Sequence, residues 1–419
     1  MGHYLRFIII SAAILLFSLP AARAGVSLPP DVSLTGFLLN NFSIDTSHRN
    51  PDGSDFKLAE QRLELNLQAW RGPFTLYVKQ DAFYDDIAGG TPTPDTREAY
   101  LDFTSSKWGM RIGRQVITWG VGDLLFINDV FPKNYAAFYS GRPLEYLKDG
   151  VDGAKIGFYP GFASFDLVVV PFFTPDTLPS PNRFWQFIPP IPPSSITNGN
   201  GEPSTNFNNS QVALRAYREI AGLDVSAYYY RGFFSQPSEI PENPSVPTRL
   251  IRLYPQLSDY GASAQGNVWG GVLSLEIGYY DSMQSGINPA VTPSQIRSLI
   301  GYQKELWKDF TVGVQYYRED MQDRSEYVEA LPPGYPVDDR ELTTIRLTQF
   351  LRHQTLRLSF FAFYSPSSGD YMLNPEIKYA FSDHVWAALG ENTFGGAKNT
   401  QFGQFARDDN TYVQVEYTF

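Results

Sequence analysis

From residue 32 to residue 419 the chain keeps returning to one pattern: an apolar side chain, then a polar one, over stretches of about ten residues. The clearest stretch is 61–70, QRLELNLQAW. Leu63, Leu65, Leu67 and Ala69 share one face there, and Arg62, Glu64, Asn66 and Gln68 share the other. After Gly72-Pro73 the pattern resumes, with Phe74, Leu76, Val78 and Ala82 opposing Thr75, Tyr77, Lys79 and Asp81. It closes the chain too: Val413, Val415, Tyr417 and Phe419 oppose Gln414, Glu416 and Thr418. A period of two describes strands whose faces meet different surroundings. Extended along the chain, it predicts 18 strands, at 32–44, 59–71, 73–85, 96–105, 108–119, 148–159, 162–173, 207–219, 222–234, 257–268, 271–283, 297–305, 309–318, 341–351, 354–364, 371–381, 384–393 and 410–419.

The connections decide what surrounds these strands. Short turns at Arg71-Gly72, Ser105–Lys107, Pro160-Gly161, Ile220-Ala221, Trp269-Gly270, Trp307-Lys308, Arg352-His353 and Ser382-Asp383 alternate strictly with long polar loops rich in Pro and Gly. Outer-membrane barrels have this asymmetry, with short turns at the periplasmic end and long loops outside. Most segments also match the roughly 9–11 tilted residues that cross a bilayer. In hydrocarbon every backbone N–H and C=O needs a partner within the protein, so the last strand must pair with the first, near Leu34–Asn40. The expected fold is all-β, a transmembrane antiparallel up-and-down β-barrel of about 18 strands with long external loops. A barrel of 16–18 strands holds water in its interior.

The first residues read as a secretory leader: Arg6, an apolar run from Phe7 to Phe17, Pro20, then the small-residue site Ala22-Arg23-Ala24. That run is too short to span a bilayer as a helix, which takes roughly 20 residues. The domain plan is therefore a signal peptide over 1–24 and the barrel over 25–419. Strand 1 starts soon after the leader, which leaves no room for an N-terminal plug or periplasmic domain.

Composition excludes other classes. The net charge is −11, and losing Arg6 and Arg23 with the leader makes it more negative. Nucleic-acid binding needs clustered cations and is not expected. There is no cysteine, hence neither disulfide framework nor thiolate chemistry. Of the histidines after the leader, His48 belongs to an external loop, while His353 and His384 belong to periplasmic turns, so no nucleophile–base pair or metal set forms around them. We expect no enzyme, no metal and no cofactor.

The most specific stretch is 111–149, RIGRQVITWGVGDLLFINDVFPKNYAAFYSGRPLEYLKD. Strand 5 supplies Arg111, Arg114 and Gln115. The third loop, from Gly120 to about Leu147, carries Asp123, Asn128, Asp129, Lys133, Arg142 and Glu145, and is apolar over Leu124–Ile127 and Val130-Phe131. Apolar loop residues avoid water if the loop folds into the lumen and packs on the inner wall, which narrows the pore. Strand parity assigns Arg62, Lys79, Arg111, Lys155, Arg215, Arg346, Arg357 and Lys378 to the lumen as cations. It assigns Glu64, Asp81, Glu98, Asp102, Asp166, Asp224, Glu276, Glu376 and Glu416 as acids. The same parity puts Arg114 on the lipid face, where a mid-membrane arginine costs about 2–4 kcal/mol, so a bulge turning it inward is expected. The pore and constriction candidates are thus Arg111, Arg114, Gln115, Asp123, Asp129 and Lys133, with Arg62, Lys79 and Lys155 on the wall. The loop Thr174–Asn206, rich in Pro and aromatic residues, reads as a stiff lid or surface loop.

The pattern Gly113-Arg114-Gln115, Trp119-Gly120, Gly122-Asp123, Asn128-Asp129 resembles Gram-negative outer-membrane barrels of the porin superfamily, including the alginate-export-like proteins. The resemblance covers about forty residues. It implies a strand leading into an inward third loop and a passive passage for small or anionic solutes. It does not extend to alginate itself, which favours a strongly basic lumen where this one is mixed. The C-terminal Tyr417 and Phe419 resemble the signal read by the barrel-assembly machinery. The expected function is a porin-like channel for passive diffusion of small hydrophilic solutes in the outer membrane of a Gram-negative bacterium. Its partners would be outer-membrane lipid, lipopolysaccharide, the assembly machinery and a small-molecule solute, with a homotrimer as one open assembly. Two alternatives stand beside it: a substrate-specific channel for an apolar or polymeric compound, with Trp119, Phe126 and Tyr135 as a greasy slide, and a structural or adhesive barrel.

Overall fold

The structure, a computed structural model, describes residues 29–87, 90–186, 196–197, 202–241, 250–286, 288–331 and 339–419. The leader and part of the Thr174–Asn206 loop lie outside these residues. Eighteen strands form one sheet: β1 (Val32–Asp45), β2 (Phe56–Arg71), β3 (Phe74–Asp85), β4 (Thr93–Thr104), β5 (Trp108–Gln115), β6 (Val151–Phe158), β7 (Ser164–Val170), β8 (Gln211–Ile220), β9 (Leu223–Phe233), β10 (Gln256–Val268), β11 (Gly271–Ser282), β12 (Gln295–Trp307), β13 (Phe310–Met321), β14 (Glu341–Leu351), β15 (Leu356–Tyr364), β16 (Tyr371–Ala380), β17 (Val385–Gly395) and β18 (Asn410–Thr418). Each pairs antiparallel with its sequence neighbours. β18 returns to β1 in register from Phe37↔Thr418 to Asp45↔Asn410. The closing bonds run from Gly36 N to Phe419 O at 3.0 Å and back from Phe419 N to Gly36 O at 2.9 Å. The barrel sheet has no open edge, as lipid requires.

Alternation sorts the side chains as the residue pattern implies. Leu76, Leu101, Ile112, Ile277, Ile300 and Leu389 point outward and are exposed, whereas their neighbours Arg111 and Glu276 point inward. Aromatic pairs mark the belt's periplasmic edge: Trp108–Phe158 at 4.3 Å, Trp307–Phe310 stacked at 3.9 Å and Phe74–Phe103 at 5.3 Å between centroids. The two-residue turns Ala221-Gly222 and Trp269-Gly270 have positive φ at both positions, the primed geometry that continues the strand twist. Among the described residues no helix is long and apolar enough to cross a membrane.

Two expectations need correcting. Strand 5 stops at Gln115 rather than at 119, because Ile117 and Trp119 turn into the barrel core and join a buried cluster with Phe131, Val168 and Tyr228. The third loop, L3, therefore spans 116–150 and is longer at both ends. The expected bulge turning Arg114 inward is also absent. Arg114 keeps strict parity, opposes Ala99 and Asp152, and lies on the outer face with its Nη1 3.2 Å from Asp152 Oδ2. The bulge sits one strand earlier. Lys79 opposes Glu98 and Gln80 opposes Thr96, so Arg97 is the extra residue, turned in under L3.

Candidate functional site

L3 enters the barrel and is held on two sides. On one side residues 121–128 hang from the wall at β11, β13 and β14. The Glu276 carboxylate on β11 accepts four hydrogen bonds: from the backbone N–H of Val121 (2.9 Å), Gly122 (3.1 Å) and Asn128 (2.8 Å), and from Asn128 Nδ2 (2.8 Å). On β13 the Gln315 side chain pairs with Asp123 as a strand would, accepting from its N–H at 2.7 Å and donating to its C=O at 2.8 Å. On β14 Arg346 makes a two-pronged ion pair with the Asp123 carboxylate. Gly120 allows the approach: its φ is +76°, and a Cβ there would fall 2.5 Å from Glu276 Oε1.

On the other side lies a short helix, α1 (Tyr135–Tyr139), capped by the Asn134 side chain, which accepts from Ala137 N. Tyr139 packs against Phe394 (5.6 Å) and Phe405 (5.1 Å), within a buried cluster that includes Phe361, Phe363, Phe402 and Phe184. The chain leaving α1 is bonded to the wall. Tyr139 O accepts from Asn392 and Asn410, and Gly141 O accepts from Asn41 and Gln414. Arg142 then donates to Glu60 on β2. The turn 144–147 sets Tyr146 between the guanidinium groups of Arg62 and Arg97, each 4.2 Å from the ring.

A second loop crosses the mouth. The segment after β7 pairs with L3, Thr177 N donating to Lys133 O at 2.8 Å, and its tip reaches the rim of β1, β2 and β18. There the buried Lys57 ammonium meets Asp408 (2.5 Å), Asp45 (3.1 Å) and the carbonyl of Arg183 (2.7 Å), while Trp185 N donates to Asp408 at 2.9 Å. Arg183 in turn pairs with Asp85 at 3.2 Å. Burial pushes the Asp408 carboxyl up to about 6, with Lys57 pulling the other way. Over 174–186 the Pro-rich loop thus packs on L3 and on the rim.

Apart from Asp123, which joins L3 to β13 and β14, the pore candidates fall into three groups. Arg111, Lys155 and Arg215 stand half-exposed on the inner wall, together with Lys79. Arg111 and Lys155 oppose each other directly on β5 and β6, an unfavourable pairing of like charges. Asp102 answers Arg111 at 2.9 Å, and Asp166 is shared between Lys155 (3.6 Å) and Arg215 (2.7 Å). Their inward neighbours along both strands are glycines, Gly109, Gly113, Gly153 and Gly157, so no side chain of β5 or β6 stands between the two cations and their flanks. Over Gly157 and Gly109 the space is taken by the Tyr159 ring, whose Oη lies 2.1 Å and 3.3 Å from where a Cβ would fall, and at Gly153 a Cβ would fall 2.5 Å from the backbone Val169 O.

The second group is packed within L3 and the wall behind it. Lys133 is buried, bonded to Asp129 and to the carbonyls of Asp129 and Phe131, and burial pushes its ammonium pKa down against the pull of Asp129. Asp129 also binds Lys148 at 2.8 Å. Gln115 is buried and donates to Gly153 O, and Arg62 is locked between Glu60 and Asp81. These four brace the constriction and do not line it. The third group is Arg114 alone, outside the lumen.

Trp119, Phe126 and Tyr135 do not form a continuous apolar track. Trp119 is buried against Phe131 and Tyr228, and Phe126 is covered by the ammonium groups of Lys133 (4.6 Å) and Lys148 (5.5 Å). Several motif residues thus seat L3, Trp119 in its core and Asp123 and Asn128 on its far side, whereas Gln115 bonds the β6 backbone at Gly153 and Arg114 lies outside. Among the described residues no group of three or more His, Cys, Asp or Glu side chains could hold a metal ion.

No family model matches the chain, and no curated protein matches it. Solved structures do. Acinetobacter baumannii OccAB3 superposes with a TM-score of 0.57 at 12% identity, covering 93% of this chain and all of that one. Pseudomonas aeruginosa OccK5 (OpdH) gives 0.56 at 14%, covering 93% and 98%. P. aeruginosa OccK2 (OpdF), solved in complex with glucuronate, gives 0.57 at 9% with the same coverage. The chain has the fold of an outer-membrane channel. At these identities the likeness is one of architecture, and it spans the whole barrel.

Proposed function

We propose that this protein is a passive outer-membrane channel for small hydrophilic solutes, with a preference for those carrying a carboxylate, and is not an enzyme. One observation carries the reading. The wall below L3 presents Arg111, Lys155 and Arg215 against only Asp102 and Asp166, two of the cations forced side by side between inward glycines. Cations fixed at this spacing in a narrow polar passage favour an anion that relieves their repulsion. L3 sets the width of the passage and the wall charges set its preference. The fold supports the reading, since barrels of this architecture are channels.

Single-channel recording in planar bilayers tests it. A steady ohmic current is expected, with a reversal potential in a salt gradient that leans toward anions. That lean should shrink when Arg111→Gln and Lys155→Gln are combined. A folded barrel that passes no current, or one whose reversal potential ignores both substitutions, overturns the reading.

A further inference from the structure

Tyr159 follows β6 directly, and its backbone leaves the side chain little choice of direction. Pro160 disfavours the helical region for the residue before it, and Tyr159 N donates to Lys107 O at 2.9 Å, so the pairing of β5 and β6 runs one residue further. Period two then puts Tyr159 on the inner face with Lys155 and Gly157, whereas Phe158 packs outside on Trp108. The ring leans back along its own strand, its Oη over Gly157 and Gly109. These two glycines oppose each other in the register, and the next inward pair is Arg111 opposite Lys155. The hydroxyl is thus one inward position, roughly 7 Å of strand, from the two cations. On its other flank β7 places Asp166 opposite Gly157, and Arg215 follows opposite Asp166.

Other tyrosines on this stretch of inner wall are engaged. Arg111 lies over Tyr100 at 4.0 Å and Arg215 over Tyr217 at 4.2 Å, while Tyr77 donates to Asn66 and stacks on Tyr100. The Tyr159 hydroxyl has no hydrogen-bond partner among the described side chains, and the residue is half-buried, so this donor faces the water of the lumen. Phenylalanine would fill the same space. What the oxygen adds is a neutral donor beside two fixed charges.

We propose that Tyr159 is the residue by which the passage tells a carboxylate from chloride. The wall charges attract both anions. A carboxylate has two oxygens with about four lone-pair sites, so one oxygen can take Arg111 and Lys155 while the other takes the Tyr159 hydroxyl. A spherical ion has one centre and cannot reach both ends of the site. Glycine at 157 makes this possible, because a side chain there would push the hydroxyl away. The inference deepens the channel reading and rests on it.

The test is the reversal potential of single channels with sodium chloride on one side and sodium acetate on the other, which gives the acetate-to-chloride permeability ratio. Tyr159→Phe keeps the ring and every charge, and should lower that ratio about two- to tenfold, the worth of one hydrogen bond. The chloride-to-sodium ratio should move by less. Gly157→Ala keeps the hydroxyl in the chain but drives it from its seat, and should lower the acetate ratio in the same direction. Two conducting, anion-leaning variants with the wild-type acetate ratio overturn the proposal. So does an equal fall in both ratios, which would make Tyr159 a filler that shapes the lumen for every ion. Failure of the channel reading looks different: no current in the wild type, or a chloride-to-sodium ratio blind to Arg111→Gln with Lys155→Gln.

Discussion

On the β11–β14 side of the lumen, residues 121–128 are suspended by three wall side chains, Glu276, Gln315 and Arg346, acting on backbone groups and one carboxylate. On the β15–β18 side, α1 lies in an aromatic cluster to which the wall, L3 and both neighbouring external loops contribute. The first attachment is directional and concentrated, so one atom's change can undo it. The second is spread over many rings, and any single truncation leaves most of it in place. A loop held in this way should swing about its aromatic end when its polar end is cut.

The sharpest cut is Glu276→Gln. The amide replaces an acceptor with an NH2 group aimed at donors, leaving buried N–H groups unpaired at about 1–3 kcal/mol each. Residues 121–128 should leave the wall, and single-channel conductance should rise severalfold with the barrel still folded. Unchanged conductance would show that the polar end does not hold the constriction. Next in size, Tyr139→Ala removes a buried ring at a cost of about 3–5 kcal/mol, by analogy with other aromatic core truncations. It should lower the thermal unfolding temperature in detergent while changing conductance far less than Glu276→Gln. The reverse ranking would break the comparison. Asp123→Asn, whose carboxylate is half-exposed, should leave stability within about 1 kcal/mol. It frees Arg346 and should move the reversal potential further toward anions.

The smallest effect concerns the mouth. The Asp408 carboxyl sits at about 6 with the 174–186 segment docked, above the ordinary carboxylate value, so the docked state binds the proton more tightly. Its contribution is full below the ordinary carboxylate range and fades as pH rises through about 6. Amide exchange at 184–186, corrected for intrinsic rates, should be slower at pH 5 than at pH 7.5.

What the residues disclose in advance follows from range. All 18 strands were legible, because period-two alternation is local and lipid on one face leaves little freedom. The end of β5 was not, because Val116-Ile117-Thr118-Trp119 alternates like a strand while its apolar members serve the interior cluster. The β4 bulge did leave a trace: Arg97-Glu98 places two charges in succession within an alternating strand, a break in period that marks an extra residue. Glu276 was correctly assigned to the lumen, yet nothing local distinguishes it from the other inward acids. Its role depends on N–H groups about 150 positions away. Arg111 and Lys155 were visible singly, and only the strand register reveals that they are neighbours.

Because L3 is fastened to β11, β13 and β14 at one end and to β1, β2, β17 and β18 at the other, it works as a strut across a hollow ring. An unbraced ring of eighteen staves flattens readily under sideways pressure from the surrounding bilayer, whereas a braced one keeps its cross-section. Cells that trimmed this loop for a wider passage would also surrender stiffness, which ties the bore of the channel to the mechanical endurance of its wall.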